Sequence, residues 1–375
     1  MTLAFLCHRS VFAPLVEAAR KAVRRQKIPI LNNLLVTVDA DRRISVMGTD
    51  LNLSITAHGE AEEVGEAGAI SVDAQTLEAS IKRMPDGPVR ITADEQRMTV
   101  RGGRASARIN VMPADDHPRV AVTEATHSFE LGSDVLDRMA DRVGYAMSND
   151  EVRYYLNGMF WHEHKDADPS RLVAVATDAK VVSKIHFPLP EGAAGMPPVI
   201  VPIQIVREWR LLAGKKGAAV TVSLNDAHIT LSTPTLSITS RLVEGDFPDY
   251  ARLFPRHNPQ RATVDIAALK GALERMLIYA PNDENTHRDI RCTFDGGSLQ
   301  LFTKSEIGDA TDELEIEGEA DIVIGLSARY LHPTAQAIGS TRAAIALNDP
   351  TTPIWIVSED EPDHEMVIMP LRLKW

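Results

Sequence analysis

The chain has 375 residues, 44% apolar and 25% charged, with 40 Lys and Arg against 52 Asp and Glu for a net charge of −12. That mix excludes a disordered, collagen-like or disulfide-stapled chain, and two distant cysteines, Cys7 and Cys292, suit a reducing compartment. No stretch approaches the roughly 18 apolar residues of a membrane span, and Met1–Phe12 is not a signal peptide, so the expectation is a cytoplasmic protein with no membrane partner.

In chain order, Leu3–His8 reads as a strand and Ser10–Arg24 as a helix, with Ser10 as N-cap. Val11, Leu15, Ala18, Ala19 and Ala22 fall near helical spacing there. Ile30–Val38, Arg43–Met47 and Leu51–Ala57 read as strands. The pattern then repeats: strand Ala69–Val72, helix Ala74–Met84 capped by Asp73, and strands Val89–Ala93, Arg97–Arg101 and Arg104–Val111, with Gly102-Gly103 as a hairpin signal. Further helices are expected over Ser133–Met147, Pro202–Ala213, Ile266–Ala280 and Ser327–Ile338, with Pro202 in a first turn. Six helices among many short antiparallel strands indicate an α+β fold with helices on one sheet face.

Three landmarks recur. Thr49-Asp50 and Thr177-Asp178, with a weaker Thr303-Lys304, are spaced by 128 and 126 residues. Val72, Pro202 and Ser327, each leading into a helix, are spaced by 130 and 125, and the acidic-turn prolines Pro118 and Pro248 by 130. A period this long is a whole domain. Three tandem similar domains are expected, at 1–122, 123–254 and 255–375.

Charge is unevenly spread. Arg20, Lys21, Arg24, Arg25 and Lys27 oppose the single acid Glu17, and other helices carry Lys82 and Arg83; Arg138 and Arg142; Arg207, Arg210, Lys215 and Lys216; and Lys270 and Arg275. Acids concentrate at Glu60–Glu66, Glu306–Glu319 and Glu359–Glu365. Cations at helix C-termini complement the macrodipole, but their recurrence in all three copies favours contact with phosphates on one surface. His162 and His164 alternate at a metal-like spacing, but without further ligands in a recognisable frame they read as a solvated hairpin tip. No phosphate-binding Gly-rich loop, Gly-x-Ser-x-Gly elbow, His-Glu-x-x-His helix or zinc-type cysteine pair occurs. No catalytic residue, metal or cofactor is expected, and Cys7 reads as a small buried apolar residue.

Four segments carry a family resemblance: Lys27-Ile28-Pro29-Ile30-Leu31-Asn32-Asn33-Leu34; Glu151-Val152-Arg153-Tyr154-Tyr155-Leu156-Asn157-Gly158-Met159; Leu242-Val243-Glu244-Gly245-Asp246-Phe247-Pro248-Asp249-Tyr250; and Val367-Ile368-Met369-Pro370-Leu371-Arg372-Leu373. They resemble the bacterial β sliding clamp, the processivity subunit of DNA polymerase III. The resemblance implies a DNA clamp fold and a head-to-tail homodimeric ring, helices inside and antiparallel sheets outside, that encircles duplex DNA without reading sequence and performs no catalysis. The helical cations would then face DNA, joined by Tyr154; Arg25 and the Tyr154–Tyr155 loop match positions that touch DNA in the family. It also implies a groove for short peptides of the polymerase catalytic subunit, the clamp loader and repair proteins. That groove would use Arg153, Tyr155, Leu156, Thr177, Pro248, Leu253, Val367, Met369, Pro370, Leu371 and Arg372.

Two departures bear on these expectations. Where the family continues Gly-His-Arg-Leu, this chain has Ala179, Lys180, Val181 and Val182, so a more apolar wall and an altered partner set are expected. The Lys374-Trp375 extension adds a large apolar group that could fold back on the groove. At the expected ring interface, Ala107 beside Ile109 replaces a large apolar residue, and Tyr279 beside Ile278 replaces a leucine; small facing large conserves volume. The competing readings are an accessory or mobile-element clamp, a scaffold that never encircles DNA, and a hydrolase using His162, His164 or Asp116.

Overall fold

The computed structural model describes residues 2–120, 124–165, 167–212, 217–255, 257–279 and 289–373. Lys215, Lys216, Lys374 and Trp375 lie outside the described residues. The chain forms two compact units, Met1–Leu136 with Pro190–Met196 and Gln204–Leu242, and Asp137–Leu189 with Pro197–Ile203 and Val243–Trp375.

Each unit holds one antiparallel sheet. The first has thirteen strands, from His127–Gly132 at one edge to Glu63–Glu66 at the other, and the second has twelve, from Val199–Pro202 to Asp321–Ser327. Both sheets run through a boundary of the sequence repeat. Leu236–Arg241 pairs with Leu53–Glu60 (Ile238 opposite Ile55), and Val181–Pro188 pairs with His364–Ile368 (Val182 opposite Val367). The middle repeat is thus shared between two sheets.

Among the described residues six helices accompany them: α1 (Arg9–Arg20), α2 (Ala74–Lys82), α3 (Ser133–Val143), α4 (Ile203–Glu208), α5 (Ile266–Tyr279) and α6 (Ala328–Ala337). Helix α1 buries Phe12, Leu15, Val16 and Ala19, each large side chain contributing about 1.5–3 kcal/mol by leaving water. Gly48 allows this close seating, since a Cβ there would lie 2.2 Å from the Ala19 carbonyl oxygen.

Several expected boundaries move. The cap of α1 is His8, whose Nδ1 accepts from the Ser10 N–H, and not Ser10. The helix ends at Arg20, which leaves Arg24 and Arg25 in the following loop. Asp73 does cap α2, accepting from Thr76 N–H at 2.7 Å, and Asp265 does the same for Ala268 in α5. Pro202 closes a strand opposite Gly158 rather than opening α4, which is short and continues as a 3₁₀ turn over Trp209–Leu212. Helix α3 gives way to a 3₁₀ turn at Gly144–Ala146. The weak third landmark fails as a turn: Thr303 sits inside the strand Ser298–Ser305, where Lys304 supplies no capping carboxylate.

Candidate functional site

The Thr-Asp landmarks fold into the same turn twice. In the first copy Thr49 Oγ1 donates to Leu53 O and accepts from Leu51 N, while Asp50 Oδ1 accepts from Asn52 N and Leu53 N. In the second, Thr177 Oγ1 donates to Val181 O at 2.7 Å and accepts from Ala179 N at 3.0 Å, while Asp178 Oδ1 accepts from Lys180 N and Val181 N. Leu51 and Ala179 both sit at positive φ, +78° and +75°, a cost of about 1–2 kcal/mol for a residue with a side chain. Four hydrogen bonds hold each turn there.

The second unit surrounds its copy with a loop, an aromatic patch and a cleft. The loop before Gly158 winds on Asp150, whose carboxylate accepts from Val152 N–H and from Arg153 Nε at 2.9 Å. These bonds, the Val152 amide first, hold the Asp150 carboxyl below its ordinary range. The 3₁₀ turn Tyr154–Leu156 follows, leaving Tyr154 exposed and Val152 84% exposed at the loop tip.

Beside this loop, Val175, Val182 and Val367 form a buried floor under Phe160, Phe247, Tyr250, Leu253, Phe254 and Trp355. Phe160 and Phe247 stack at 4.7 Å, and Tyr250 makes edge contacts with Phe247 and Phe254. Lys184 Nζ lies 4.1 Å above the Phe254 ring and pairs with Glu365 at 2.9 Å. His162 belongs to this assembly, its Nε2 hydrogen-bonded to Tyr250 OH at 2.8 Å, and is not part of a solvated tip. His164 packs edge-on to His186 at 5.7 Å. Among the described residues no cluster of His, Cys, Asp and Glu could hold a metal ion.

A cleft of about 500 Å³ adjoins the turn, lined by Arg153, Asp178, Lys180, Val181, Arg329 and Tyr330 among others. Burial, then the charge of Asp178, raises the Tyr330 hydroxyl. Val181 lines the cleft with Met147 and Pro333 but is itself only 2% exposed, and the charged side chains of Arg153, Asp178, Lys180 and Arg329 stand around it. Of the groove residues expected from sequence, Arg153, Lys180 and Val181 line this cleft, whereas Val182, Leu253 and Val367 belong to the aromatic patch. Leu156 and Thr177 are buried supports; Tyr155 and Pro248 lie on the loop and the acidic turn, and Ala179 is exposed at the turn apex. Met369, Pro370, Leu371 and Arg372 form the segment that follows the last strand. Sequence reasoning missed Arg329 and Tyr330. They lie in the first turn of α6, two and three residues past the repeat landmark Ser327, which was the available signal.

The basic residues divide into held and free. In the first unit Lys82 pairs with Glu78 and Glu17, Arg20 with Glu78, and Arg24 with Asp50 at 3.6 Å. Lys21 reaches Glu208 at 3.8 Å, which ties the end of α1 to α4, and Arg83 caps its own helix through Ala79 O. Arg25, Lys27 and Arg207 are exposed and make no ion pair among the described residues; Arg210 is also exposed. In the second unit Arg138 and Arg142 share Glu361, at 2.6 and 2.7 Å. Arg142 also covers Gly339, and only 20% of its side chain is exposed. Burial and then the charge of Arg142 lower the Lys270 ammonium. Arg275 is held by Asp312 at 2.6 Å. Arg138, Arg142 and Arg275, expected from sequence to face phosphate, are each paired with a carboxylate from a distant segment.

Two strands present half-open edges. Ala105–Met112 pairs along 105–110 with Arg97–Gly102, but with Gly68–Asp73 only at Val111 and Met112. Gly308–Gly318 pairs along 308–315 with Ser298–Ser305, but with Gln260–Asp265 only from 316 on. Ala107 is half-buried on the first strand, and Ile109 is 6% exposed and so faces its own core. Near the second strand Ile278 is 66% exposed, and the Tyr279 ring packs against Gly308.

Comparison with known proteins covers nearly the whole chain. Residues 3–121, 130–249 and 251–372 match the N-terminal, central and C-terminal domains of the DNA polymerase III beta subunit. The beta sliding clamp of Caulobacter vibrioides is 31% identical over 355 residues, covering 93% of this chain and 94% of that protein. The Pseudomonas aeruginosa clamp is 30% identical, covering 97% and 98%. Among solved structures, the Caulobacter crescentus clamp superposes with a TM-score of 0.94 at 30% identity, covering 99% of each chain. The DNA polymerase III subunit beta of Bartonella birtlesii, bound to griselimycin, gives 0.94 at 28% identity and full coverage of both chains. With three tandem clamp domains in order along its length, the chain belongs to the DNA polymerase III beta subunit family, the beta sliding clamps.

Proposed function

We propose that two copies of this chain close head to tail into a ring around duplex DNA, with the repeats at 1–122, 123–254 and 255–375 as its six segments, and that the ring tethers DNA polymerase III and other peptide-bearing partners in the cytoplasm without catalysing a reaction. One observation carries the closure: the two half-open edges are complementary. Arg101, Arg104 and Arg108 are exposed at or beside the first, and Asp309, Glu313 and Glu315 on the second. Antiparallel pairing of 105–110 with 308–315 of another copy satisfies both rows of backbone groups and sets opposite charges across the join. Ile278 and Ile307, both exposed beside Tyr279, provide apolar surface to bury there.

Among the described residues, Arg25, Lys27 and Arg207 are exposed cations with no ion pair, and inside such a ring they face the DNA. They supply sequence-blind phosphate contacts, with Tyr154 and Val152 at the tip of the second loop. The charged cleft and the aromatic patch take partner peptides, and griselimycin, which a related clamp binds, is the probe for that surface.

The test is loading on nicked circular DNA. Retention on circles and release on linearisation support the ring, and equal retention on both overturns it. Ile278→Asp gives monomers by sedimentation and abolishes retention if closure uses this edge; an unchanged dimer refutes that assignment.

A further inference from the structure

We propose that Gly325 is a positioning residue for the peptide cleft, because the absence of its side chain lets the C-terminal segment tie the Thr177-Asp178 turn to the strand that leads into α6, the two elements whose Lys180, Arg329 and Tyr330 line the cleft. The inference rests on reading that cleft as the docking site.

Among the described strands, Asp321–Ser327 is an edge of its sheet and pairs as a ladder on one side, with Asp289–Asp295. On its free side the C-terminal segment crosses it at one point, where Leu371 N–H donates to Gly325 O at 2.9 Å. Two residues earlier, Met369 N–H donates to Lys180 O, also at 2.9 Å, on the Thr177-Asp178 turn. Pro370 between them has no N–H to give. The strap is therefore fixed by two backbone bonds, one to each side of the surface. Lys180 itself lines the cleft, and the strand bearing Gly325 runs directly into α6 with Arg329 and Tyr330.

Gly325 has no positive φ to explain it. What it provides is space. A Cβ there would lie 2.6 Å from Leu371 O and 2.9 Å from Leu373 Cγ and Cδ2. Leucine can turn away, but a backbone oxygen has no rotamer, so even alanine displaces the strap at the bond that holds it. The displacement is delivered to Met369–Arg372 and leaves the aromatic floor on the other strands untouched.

The experiment measures griselimycin affinity by calorimetry on the full-length protein and on Gly325→Ala, Leu371→Pro, their double variant, and Gly297→Ala, whose added Cβ would meet nothing within 4 Å. Leu371→Pro removes the N–H donor and leaves the strand unaltered, so it decides the matter if Gly325→Ala does not fold. Each single variant is expected to bind roughly tenfold more weakly, and the double variant no more weakly than either single, because both remove one seat. Gly297→Ala binds as the parent, and the sedimentation of all variants is unchanged. Parental affinity in both singles overturns the strap and leaves the cleft standing, as does an additive double variant. Failure of the parent protein to bind griselimycin overturns the cleft and the strap with it.

Discussion

Glu361 is the carboxylate on which the second unit depends most visibly, and its removal makes a sharp test. Its Oε1 accepts from Arg138 Nε and Nη2 at 3.0 and 2.6 Å, and its Oε2 from Arg142 Nε at 2.7 Å. Its side chain is 15% exposed, so the charge is largely withdrawn from water. Charge-assisted hydrogen bonds of this kind contribute about 1.5–3 kcal/mol, and removing one member of a buried pair costs about 3–5 kcal/mol. Arg138 is nearly half exposed and counts for about 0.2–1 kcal/mol after solvent screening. Glu361→Gln keeps the shape and deletes the charge. It should therefore cost about 2–3 kcal/mol, most of it through Arg142, which is left beside Lys270 with no counter-charge. Urea unfolding followed by fluorescence of Trp161 and Trp355, both in this unit, measures the loss. A double-mutant cycle with Arg142→Met isolates the pair and should return a coupling of about 1.5 kcal/mol or more. Burial pushes the Glu361 carboxyl up, but the hydrogen bonds from Arg142 and Arg138 outweigh it and the net shift is downward from 4.5. A depressed carboxylate stabilises above its unfolded value and loses that contribution as the pH falls through its folded value. The gap between parent and Glu361→Gln should accordingly close in acid below about pH 4.5. A variant within about 0.5 kcal/mol of the parent at neutral pH, the range of an ordinary surface change, or a gap that persists in acid, refutes the reasoning.

Other consequences are open to measurement. Arg25→Glu should weaken retention on DNA and lower the salt slope by about one unit, whereas Arg142→Met should leave that slope unchanged; equal effects would return Arg142 to the phosphate-contacting set. Ala179→Val should cost about 1–3 kcal/mol, since a β-branched residue is poorly accommodated at φ +75°, while Ala179→Gly should leave the melting temperature unchanged or raise it; the reverse order would show the turn to be unstrained. Burial holds the His364 imidazole down at about 4; a group neutral in the fold and protonated when unfolded removes stability as the pH falls from about 6.5 to 4. His364→Asn should flatten the fall in melting temperature over that window, and an unaltered slope would assign it to other groups.

How much of this was legible in the sequence depends on the range of the interaction. The Thr-Asp turns and the Asp73 cap close within four residues, so spacing alone located them. The cap at His8 did not stand out because imidazole is an uncommon N-cap, and the edge strand Glu63–Glu66 is too short and too acidic to show alternation. The sharing of the middle repeat between two sheets was invisible, because strand pairing across such distances leaves no local pattern. The internal pairing of the helical cations was hidden for the same reason. A helical stripe of cations is visible in sequence, but the carboxylate that neutralises Arg142 lies 219 residues away. The residues expected at the groove came from family motifs, and those motifs did not carry Arg329 and Tyr330 because helix reading followed the apolar period and passed over the polar face.

That neutralisation bears on how an acidic chain holds DNA. Each unscreened phosphate contact steepens the salt dependence of binding by about 0.9 and deepens the well from which the protein must escape to move along the duplex. A ring held by topology gains nothing from deep wells, since enclosure already prevents loss. Internal pairing of Lys82, Arg138, Arg142 and Arg275 keeps positive charge near the helices while spending its strongest, short-range part on the protein's own carboxylates. On the proposed assignment, what reaches the DNA from these groups is a smooth field, screened over about 8 Å in physiological salt, and direct contacts fall first to exposed cations that make no ion pair among the described residues, such as Arg25 and Lys27 in one loop and Arg207 on α4. On this argument the helical pairs serve two ends at once: they join distant segments of each unit, and they keep the grip on phosphate loose enough for sliding.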